Sequence, residues 1–159
     1  MKLINPFKLN KDESILFDKP TINESGKVFK IINITNVVIL QKVCPTRFGT
    51  GDILGFDVFQ IELPTQGVGW LVDAIENKFW TSADLGGLPS GTYQYKETVK
   101  GEKLALYREM NVGDKNQKGF RLTNFSRPSR TYEDDNYQDF FITDIMLLEG
   151  GLLNALKQL

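Results

Sequence analysis

The chain has 159 residues, of which 41% are hydrophobic, and its formal net charge is −1. A chain of this size can bury a real core, so we expect a single domain over residues 1–159. Residues 1–26 mix charged with isolated apolar residues and form a partly irregular start, and any subdivision would fall near residue 91. The near-neutral charge excludes a strong overall attraction to nucleic acid or to anionic lipid.

Further absences bear on location and chemistry. No apolar run approaches the ~20 residues that span a bilayer, and the start lacks the apolar stretch of a signal peptide, so we expect a soluble cytoplasmic protein with no membrane partner. Histidine is absent and Cys44 is the only cysteine, which removes Ser-His and Cys-His nucleophiles, intramolecular disulfides and the common zinc sites. We therefore expect no catalytic residues and no cofactor. Carboxylate chemistry with Mg²⁺ or Ca²⁺ stays open as the enzyme alternative.

The first 43 residues favour strands over helices. Residues 15–17 are predicted as a short edge strand or a docked tail. Residues 27–43 are rich in β-branched side chains and form one long strand or two, with a bend at Asn33 or Asn36.

A central stretch contains both tryptophans and the most regular strand pattern of the chain. Apolar and polar residues alternate over residues 56–63, which predicts a strand with one buried face. Pro64 ends this strand, a turn at 65–67 follows, and residues 68–72 are predicted as the return strand of a hairpin. The apolar spacing over residues 71–80 then predicts a short helix.

The sequence of residues 56–75, FDVFQIELPTQGVGWLVDAI, resembles the last hairpin of bacterial SH3-like barrels. In those barrels an alternating strand, a short turn and a Gly-Trp strand run into a short helical turn. The resemblance implies a small barrel, and such barrels are mostly binding modules for peptides, glycans or cell-wall strands. The Arg-Ser-Gly-rich segment of the cell-wall-binding versions is absent here, which argues against a cell-wall ligand.

The second half of the chain carries the pattern of further strands. Residues 93–99 and 104–107 alternate on either side of a turn at Lys100 and Gly101, which predicts a hairpin. Residues 120–125 form another strand, and the apolar run over 140–148 predicts a last, central strand apolar on both faces.

These elements define the expected fold class. A stop at Gly150 and Gly151 precedes a short helix with an apolar stripe over residues 152–159. Short, regularly spaced strands favour an all-β or β-rich α+β fold. We expect a small barrel or a two-sheet sandwich of about seven or eight strands with two short helices.

Aromatic residues beside the glycine-rich loop at 81–91 supply the first candidate site. Such rings can form a shelf for a base, a sugar or a proline, although more often they fill a core. The candidates for ligand or partner binding are Trp70, Trp80, Tyr93 and Tyr95.

A basic segment over residues 115–130 supplies the second candidate site. Single-stranded nucleic acids are held by cations along the backbone and by aromatic rings under the bases, and this segment interleaves both residue types. The alternative is a strand with core phenylalanines and solvated cations. The candidate residues are Lys115, Lys118, Phe120, Arg121, Phe125, Arg127 and Arg130.

An acidic segment follows at residues 133–144, with Glu133, Asp134, Asp135, Asp139 and Asp144. Clustered carboxylates are what Mg²⁺ and Ca²⁺ require, but this spacing fits no EF-hand loop. We interpret the segment as a solvated loop and expect no metal.

Three functions stay open at this point. The leading hypothesis is a non-catalytic protein that binds a protein partner or a small ligand through its loops. The second is a protein that binds single-stranded nucleic acid through residues 115–130, and the third is a carboxylate-dependent enzyme. The sequence does not indicate an oligomeric state.

Overall fold

The computed structural model describes residues 3–24, 26–45, 56–130 and 135–159. Over these ranges eight strands form two four-stranded antiparallel sheets, and short helices follow each sheet. The predicted β-rich fold is therefore confirmed in its two-sheet form. The described strands form no closed barrel, and there are three short α-helices rather than two.

The first sheet is a meander with the spatial order β1-β2-β3-β4. Thr35 and Asn36 form the turn between β2 and β3, which confirms the prediction of two strands with a bend at Asn36. β1 forms an edge of the sheet, as in the edge-strand alternative. The strands are Glu13–Pro20 (β1), Val28–Ile34 (β2), Val37–Pro45 (β3) and Phe56–Pro64 (β4).

The chain becomes helical directly after β4. Helix α1 covers Thr65–Asp73 and continues as a π-helical turn over Ala74–Phe79. The predicted turn at 65–67 and return strand at 68–72 are therefore wrong, and the helix predicted over 71–80 begins earlier. The segment that resembles the hairpin of SH3-like barrels consists of a strand and a helix.

The spacing of apolar residues explains why α1 is a helix despite two glycines. Val68, Leu71 and Ile75 lie three or four residues apart and are all buried in the core, so one helical face is apolar. Burial of this face outweighs the low helix propensity of glycine. Gly67 also allows close packing, because a Cβ atom there would lie only 3.2 Å from the ring of Pro64.

The second sheet is a meander with the order β5-β6-β7-β8. The predicted hairpin between β5 and β6 is confirmed, and Lys100 and Gly101 both have positive φ, as the tight turns of hairpins require. The strands are Gln94–Val99 (β5), Glu102–Val112 (β6), Gln117–Asn124 (β7) and Gln138–Thr143 (β8).

The chain ends in two short helices. Helix α2 covers Asp144–Leu148, so the strand predicted over 140–148 is wrong in its second half, and β8 is an edge strand of its sheet. The Thr143 hydroxyl accepts the N–H of Met146 and so caps α2, which turns the chain out of the strand. Helix α3 covers Leu152–Lys157 and confirms the predicted terminal helix.

Each four-stranded meander is thus followed by helix, and the same topological unit occurs twice. The inner faces of both sheets and all three α-helices contribute to one cluster of buried apolar residues. Phe29 of the first sheet and Phe140 of the second meet edge to face with ring centroids 5.4 Å apart. We call the side of each sheet that is turned away from this core its outer face.

Glu62 joins the two sheets. It lies in β4 and is fully buried, and its carboxylate accepts hydrogen bonds from Arg127 at 2.6 Å and from Arg130 at 2.9 Å. Its backbone N–H donates to the Gln138 side chain at 2.8 Å, and its carbonyl accepts from the Asn124 side chain at 2.9 Å. The edge of β4 is therefore connected to the second sheet by side chains rather than by a strand ladder.

The charges of this junction are closely balanced. Arg127 also donates to both carboxylate oxygens of Glu102, at 2.8 and 2.6 Å. Burial by itself would raise the pKa of Glu62, but the hydrogen bonds from Arg130 and Arg127 outweigh burial and hold that pKa below its ordinary value. Burial and the Arg127 hydrogen bond oppose each other in the same way at Glu102, whose pKa is also lowered.

Trp70 provides a first test of the fold. The side chain is 8% exposed, and its ring stacks on Tyr95 with centroids 6.1 Å apart. Trp70→Ala should therefore lower the free energy of unfolding by about 3–5 kcal/mol, as for other large aromatic truncations in cores. Denaturant unfolding measures this, with Tyr93→Ala at an exposed position as control. A loss below about 1 kcal/mol would contradict the placement of Trp70 in the core.

Glu62→Gln provides a second test. Because the folded-state pKa of Glu62 is lowered, its carboxylate stabilises the fold above the ordinary pKa of 4.5, and this contribution disappears as the pH falls through the folded value. We expect Glu62→Gln to cost about 3–5 kcal/mol near pH 7, because the substitution leaves buried arginine charge uncompensated. Below about pH 4.5 the stability of the native protein should fall more steeply than that of the variant.

Denaturant unfolding at a series of pH values checks the Glu62 prediction. Glu149→Gln, which removes an exposed carboxylate, is the matched control and should follow the native protein throughout. Parallel pH profiles for the native protein and Glu62→Gln would show that this carboxylate does not hold the sheets together.

Candidate functional site

The outer faces of the two sheets differ in what covers them. Residues 3–9 lie on the outer face of the first sheet, where Ile4 is buried and its backbone contacts the side chains of Gln41 and Gln60. On the second sheet, outward side chains such as Lys96 and Phe141 are exposed to solvent. Over the described part of the chain, the second sheet is therefore the one that presents an accessible surface.

Strand register determines which side chains share this surface. Opposite residues of antiparallel strands point to the same side of a sheet, and Tyr107, Arg121 and Phe141 pair in one row across β6, β7 and β8. We call the outer face of the second sheet the open face. The residues on which its chemistry depends are Lys96, Lys103, Tyr107, Arg121, Phe125 and Phe141.

Tyr107 lies near the middle of the open face with cations beside it. The guanidinium carbon of Arg121 is 4.1 Å from the centroid of the Tyr107 ring, and the Lys96 ammonium is 5.5 Å from it. Lys96 also lies 5.7 Å from the ring of Phe125. Both cations are within the range of cation–π attraction, so the aromatic rings and the positive charges form one continuous surface.

Three further rings are substantially exposed along this face. Phe125 is 40%, Tyr137 39% and Phe141 44% exposed, and the Phe125 and Tyr137 centroids are 5.5 Å apart. Ala105 and Thr123 lie between the rings in the sheet, but both are fully buried beneath neighbouring side chains. The accessible part of this surface therefore consists of the exposed rings and the lysines beside them.

Two carboxylates hold Arg121 in place. Its Nε donates to Glu109 at 3.1 Å, and its guanidinium lies 3.8 Å from a carboxylate oxygen of Asp139, which also accepts a hydrogen bond from the Thr123 hydroxyl. The flat side of the guanidinium therefore stays against Tyr107. The acids also reduce the local positive charge, so the open face carries both signs.

The aromatic residues predicted as a partner site do not form one shelf. Trp70 and Tyr95 stack on each other, but Trp70 is buried. Trp80 packs on the core residue Phe120 with centroids 6.1 Å apart, while Tyr93 is 60% exposed. Burial and a hydrogen bond from its hydroxyl to Glu97 raise the pKa of Tyr95 to about 12.

The residues of the predicted nucleic-acid segment are distributed over several environments. Arg121 and Phe125 belong to the open face, and Lys115 and Lys118 are exposed. The other three residues stabilise the fold. Phe120 is fully buried in the core, and Arg127 and Arg130 form ion pairs with Glu62.

The acidic segment is only partly described, because Glu133 and Asp134 lie outside the described residues. Asp139 contacts Arg121, and Asp144 forms a bidentate pair with Arg108 at 2.6 Å. Within the described ranges, no group of three or more histidine, cysteine, aspartate or glutamate residues is arranged to hold a metal ion. Over the same ranges, none of the helices has the length and apolarity needed to cross a membrane.

A cleft of about 340 Å³ offers a second concave surface. The buried carboxylate of Glu24 lines it, together with Lys27, Lys42, Phe59 and Gln138. The polar groups are engaged with one another: Lys42 is 3.0 Å from Glu24, and the Gln138 side chain bonds the backbone of the Glu62 junction. The Glu24, Lys42 and Gln138 side chains of the cleft are thus paired within the protein.

Four residues of the open face were not among the sequence candidates: Lys96, Lys103, Tyr107 and Phe141. The sequence pattern could have indicated three of them. Alternation within the β5–β6 hairpin places Lys96, Lys103 and Tyr107 on the polar side of the sheet, opposite the apolar Leu104 and Leu106. For Phe141 no such signal existed, because the surrounding run is apolar on both faces.

Comparison with known proteins adds no assignment. The chain matches no protein-family model, and no curated protein and no solved structure is detectably similar to it.

Proposed function

We propose that this protein is a non-catalytic binding module and that the open face binds single-stranded nucleic acid. The observation that supports the proposal is the arrangement around Tyr107, with Arg121 and Lys96 beside its ring on an accessible antiparallel sheet. Single strands bind to such surfaces by stacking bases on aromatic rings and by placing phosphates near cations.

Each component of the open face has a role in this binding. Phe141 offers ring surface to bases, and the exposed pair of Phe125 and Tyr137 extends this surface. The half-buried Tyr107 ring holds Arg121 and Lys96 beside these rings. Lys96 and Lys103 offer charge to the phosphates. Stacking on exposed rings favours tolerance of sequence over recognition of one base, because every base has a flat aromatic face.

The charge of the face limits the strength of binding. Lys96, Lys103 and Arg121 are its three cations, and Glu109 and Asp139 reduce their effect. With about three phosphate contacts, the slope of log K against log salt should be about −2. Binding should therefore be measurable at low salt and should weaken strongly near physiological salt.

Fluorescence anisotropy with a labelled strand of about 12 nucleotides tests the proposal. Tyr107→Ala should weaken binding by about 1–3 kcal/mol because it removes the ring that holds Arg121 and Lys96 beside the exposed aromatic residues. Lys96→Gln should flatten the salt slope by about 0.7 because it removes one phosphate contact. Tyr93→Ala, which removes an exposed tyrosine outside the open face, is the matched control and should bind as the native protein does.

Two outcomes would contradict nucleic-acid binding. One is the absence of any anisotropy change at low salt, and the other is an equal loss in Tyr107→Ala and Tyr93→Ala. Thermal unfolding of each variant separates loss of binding from loss of the fold. A double-stranded nucleic acid of the same sequence should bind more weakly than the single strand, because its bases are paired and are not available for stacking on the protein.

A protein partner is the second candidate ligand of the open face. Tyrosine, phenylalanine and arginine are enriched in protein interfaces. Glu109 and Asp139 repel phosphates but could pair with basic residues of a protein partner. If nucleic acid fails to bind, a photoreactive side chain in place of Tyr107 should crosslink a protein. In that case affinity should depend only weakly on salt.

A further inference from the structure

The N-terminal strap, residues 3–9, is bound to the outer face of the first sheet like an extended ligand. Ile4 is buried against Ile32 and Ile39, which are both fully buried, and Leu9 packs on the edge of the same cluster. Pro6 is also buried, whereas Leu3 is 37% and Phe7 66% exposed, although the Phe7 ring meets Phe56 edge to face at 4.8 Å. Ile4 is therefore the central anchor of the strap, and Pro6 and Leu9 support it.

Two buried glutamines bind the backbone of the strap. Gln60 accepts the Ile4 N–H through its side-chain oxygen at 3.0 Å, and Gln41 donates from its amide nitrogen to the Ile4 carbonyl at 2.8 Å. Gln41 and Gln60 are 0% and 3% exposed and face each other across β3 and β4. Amide side chains in the middle of a sheet face can recognise a peptide backbone independently of its side chains.

The strap leaves part of this face unsatisfied. The side-chain oxygen of Gln41 is buried and has no hydrogen-bond partner in the described structure. Buried polar atoms without a partner are rare in proteins. Beside the glutamines, the ammonium of buried Lys30 is paired with Asp18 at 2.6 Å and lies 5.5 Å from the ring of Phe7, which is mostly in solvent. The Gln41 oxygen is therefore the group of this face that the strap leaves unused.

We propose that the outer face of the first sheet is a groove for an extended peptide of a partner protein, and that the strap is a built-in occupant which this peptide displaces. The partner peptide carries a branched aliphatic residue in the place of Ile4. Its backbone also donates an N–H to the unused oxygen of Gln41, and an aromatic ring three residues later lies over Lys30. This interaction is independent of the open face on the second sheet.

The test uses the full chain and a labelled peptide that copies residues 3–9. In the native protein the tethered strap competes at high effective concentration, so the peptide should bind weakly. Ile4→Asp removes the buried anchor and should raise the affinity for the peptide at least about tenfold. Adding Gln41→Leu to this variant should abolish the gain, and a peptide with aspartate in place of isoleucine should not bind. Tyr107→Ala should leave all these values unchanged.

Hydrogen exchange of the native protein supplies an independent measurement that does not require the variant to fold. If the strap opens separately, the Ile4 amide should exchange at least about 100-fold faster than the amides of β3. Equal protection would overturn the proposal, because the strap would then leave only on global unfolding. Equal peptide affinity of the native protein and a folded Ile4→Asp variant would overturn it too.

Light scattering distinguishes a partner peptide from a second copy of this chain. The native protein should be monomeric over the concentration range of the peptide titration. A native dimer that Ile4→Asp abolishes would mean that the groove takes the strap of a second copy, and the assignment to a partner protein would be wrong.

Discussion

The buried carboxylate of Glu62 determines how the two sheets are held together. A fully buried charge is tolerated only when it is paired and hydrogen-bonded, and Arg127 and Arg130 supply both conditions. These arginines come from the segment after β7, so their pairing holds the second sheet against the edge of β4. The same pairing withdraws two cations from solvent. Arg121 and the lysines of the open face are the cations that remain on the outer face of the second sheet.

The two four-stranded meanders have the same topology but differ in their outer faces. Both units are meanders followed by helix, and both contribute an inner face to the same core. Their outer faces differ because Gln41 and Gln60 bind a strap on the first sheet, whereas Tyr107 and Arg121 remain accessible on the second. The outer face of the first sheet is thus covered by residues 3–9 of the same chain, whereas the outer face of the second sheet is accessible.

Local sequence patterns predicted most strands correctly. They failed where the same pattern is compatible with a strand and with a buried helix. Alternation correctly predicted that β4 and the β5–β6 hairpin are strands, because a period of two residues has no helical equivalent. The expectation of one buried face was wrong for β4, because the strap covers Gln60 and the arginines of the second half cover Glu62. The return strand at 68–72 failed because a short apolar run with glycines fits a strand or a buried helix. The packing of Val68 and Leu71 in the core decided for the helix. The run at 140–148 failed for a similar reason, and the cap at Thr143 decided where the strand ends.

The amino-acid sequence was sufficient to predict a β-rich fold, to exclude chemistry that requires histidine, and to show that cations alternate with aromatic rings. It did not reveal which of those cations and rings are accessible in the folded protein. Arg121 and Arg127 lie on the same segment and look alike in sequence, yet one stacks on Tyr107 at the surface and the other is bound to Glu62. The reason is physical: the distant carboxylates of Glu62 and Glu102 capture Arg127, and no local pattern records which acids the fold brings to an arginine.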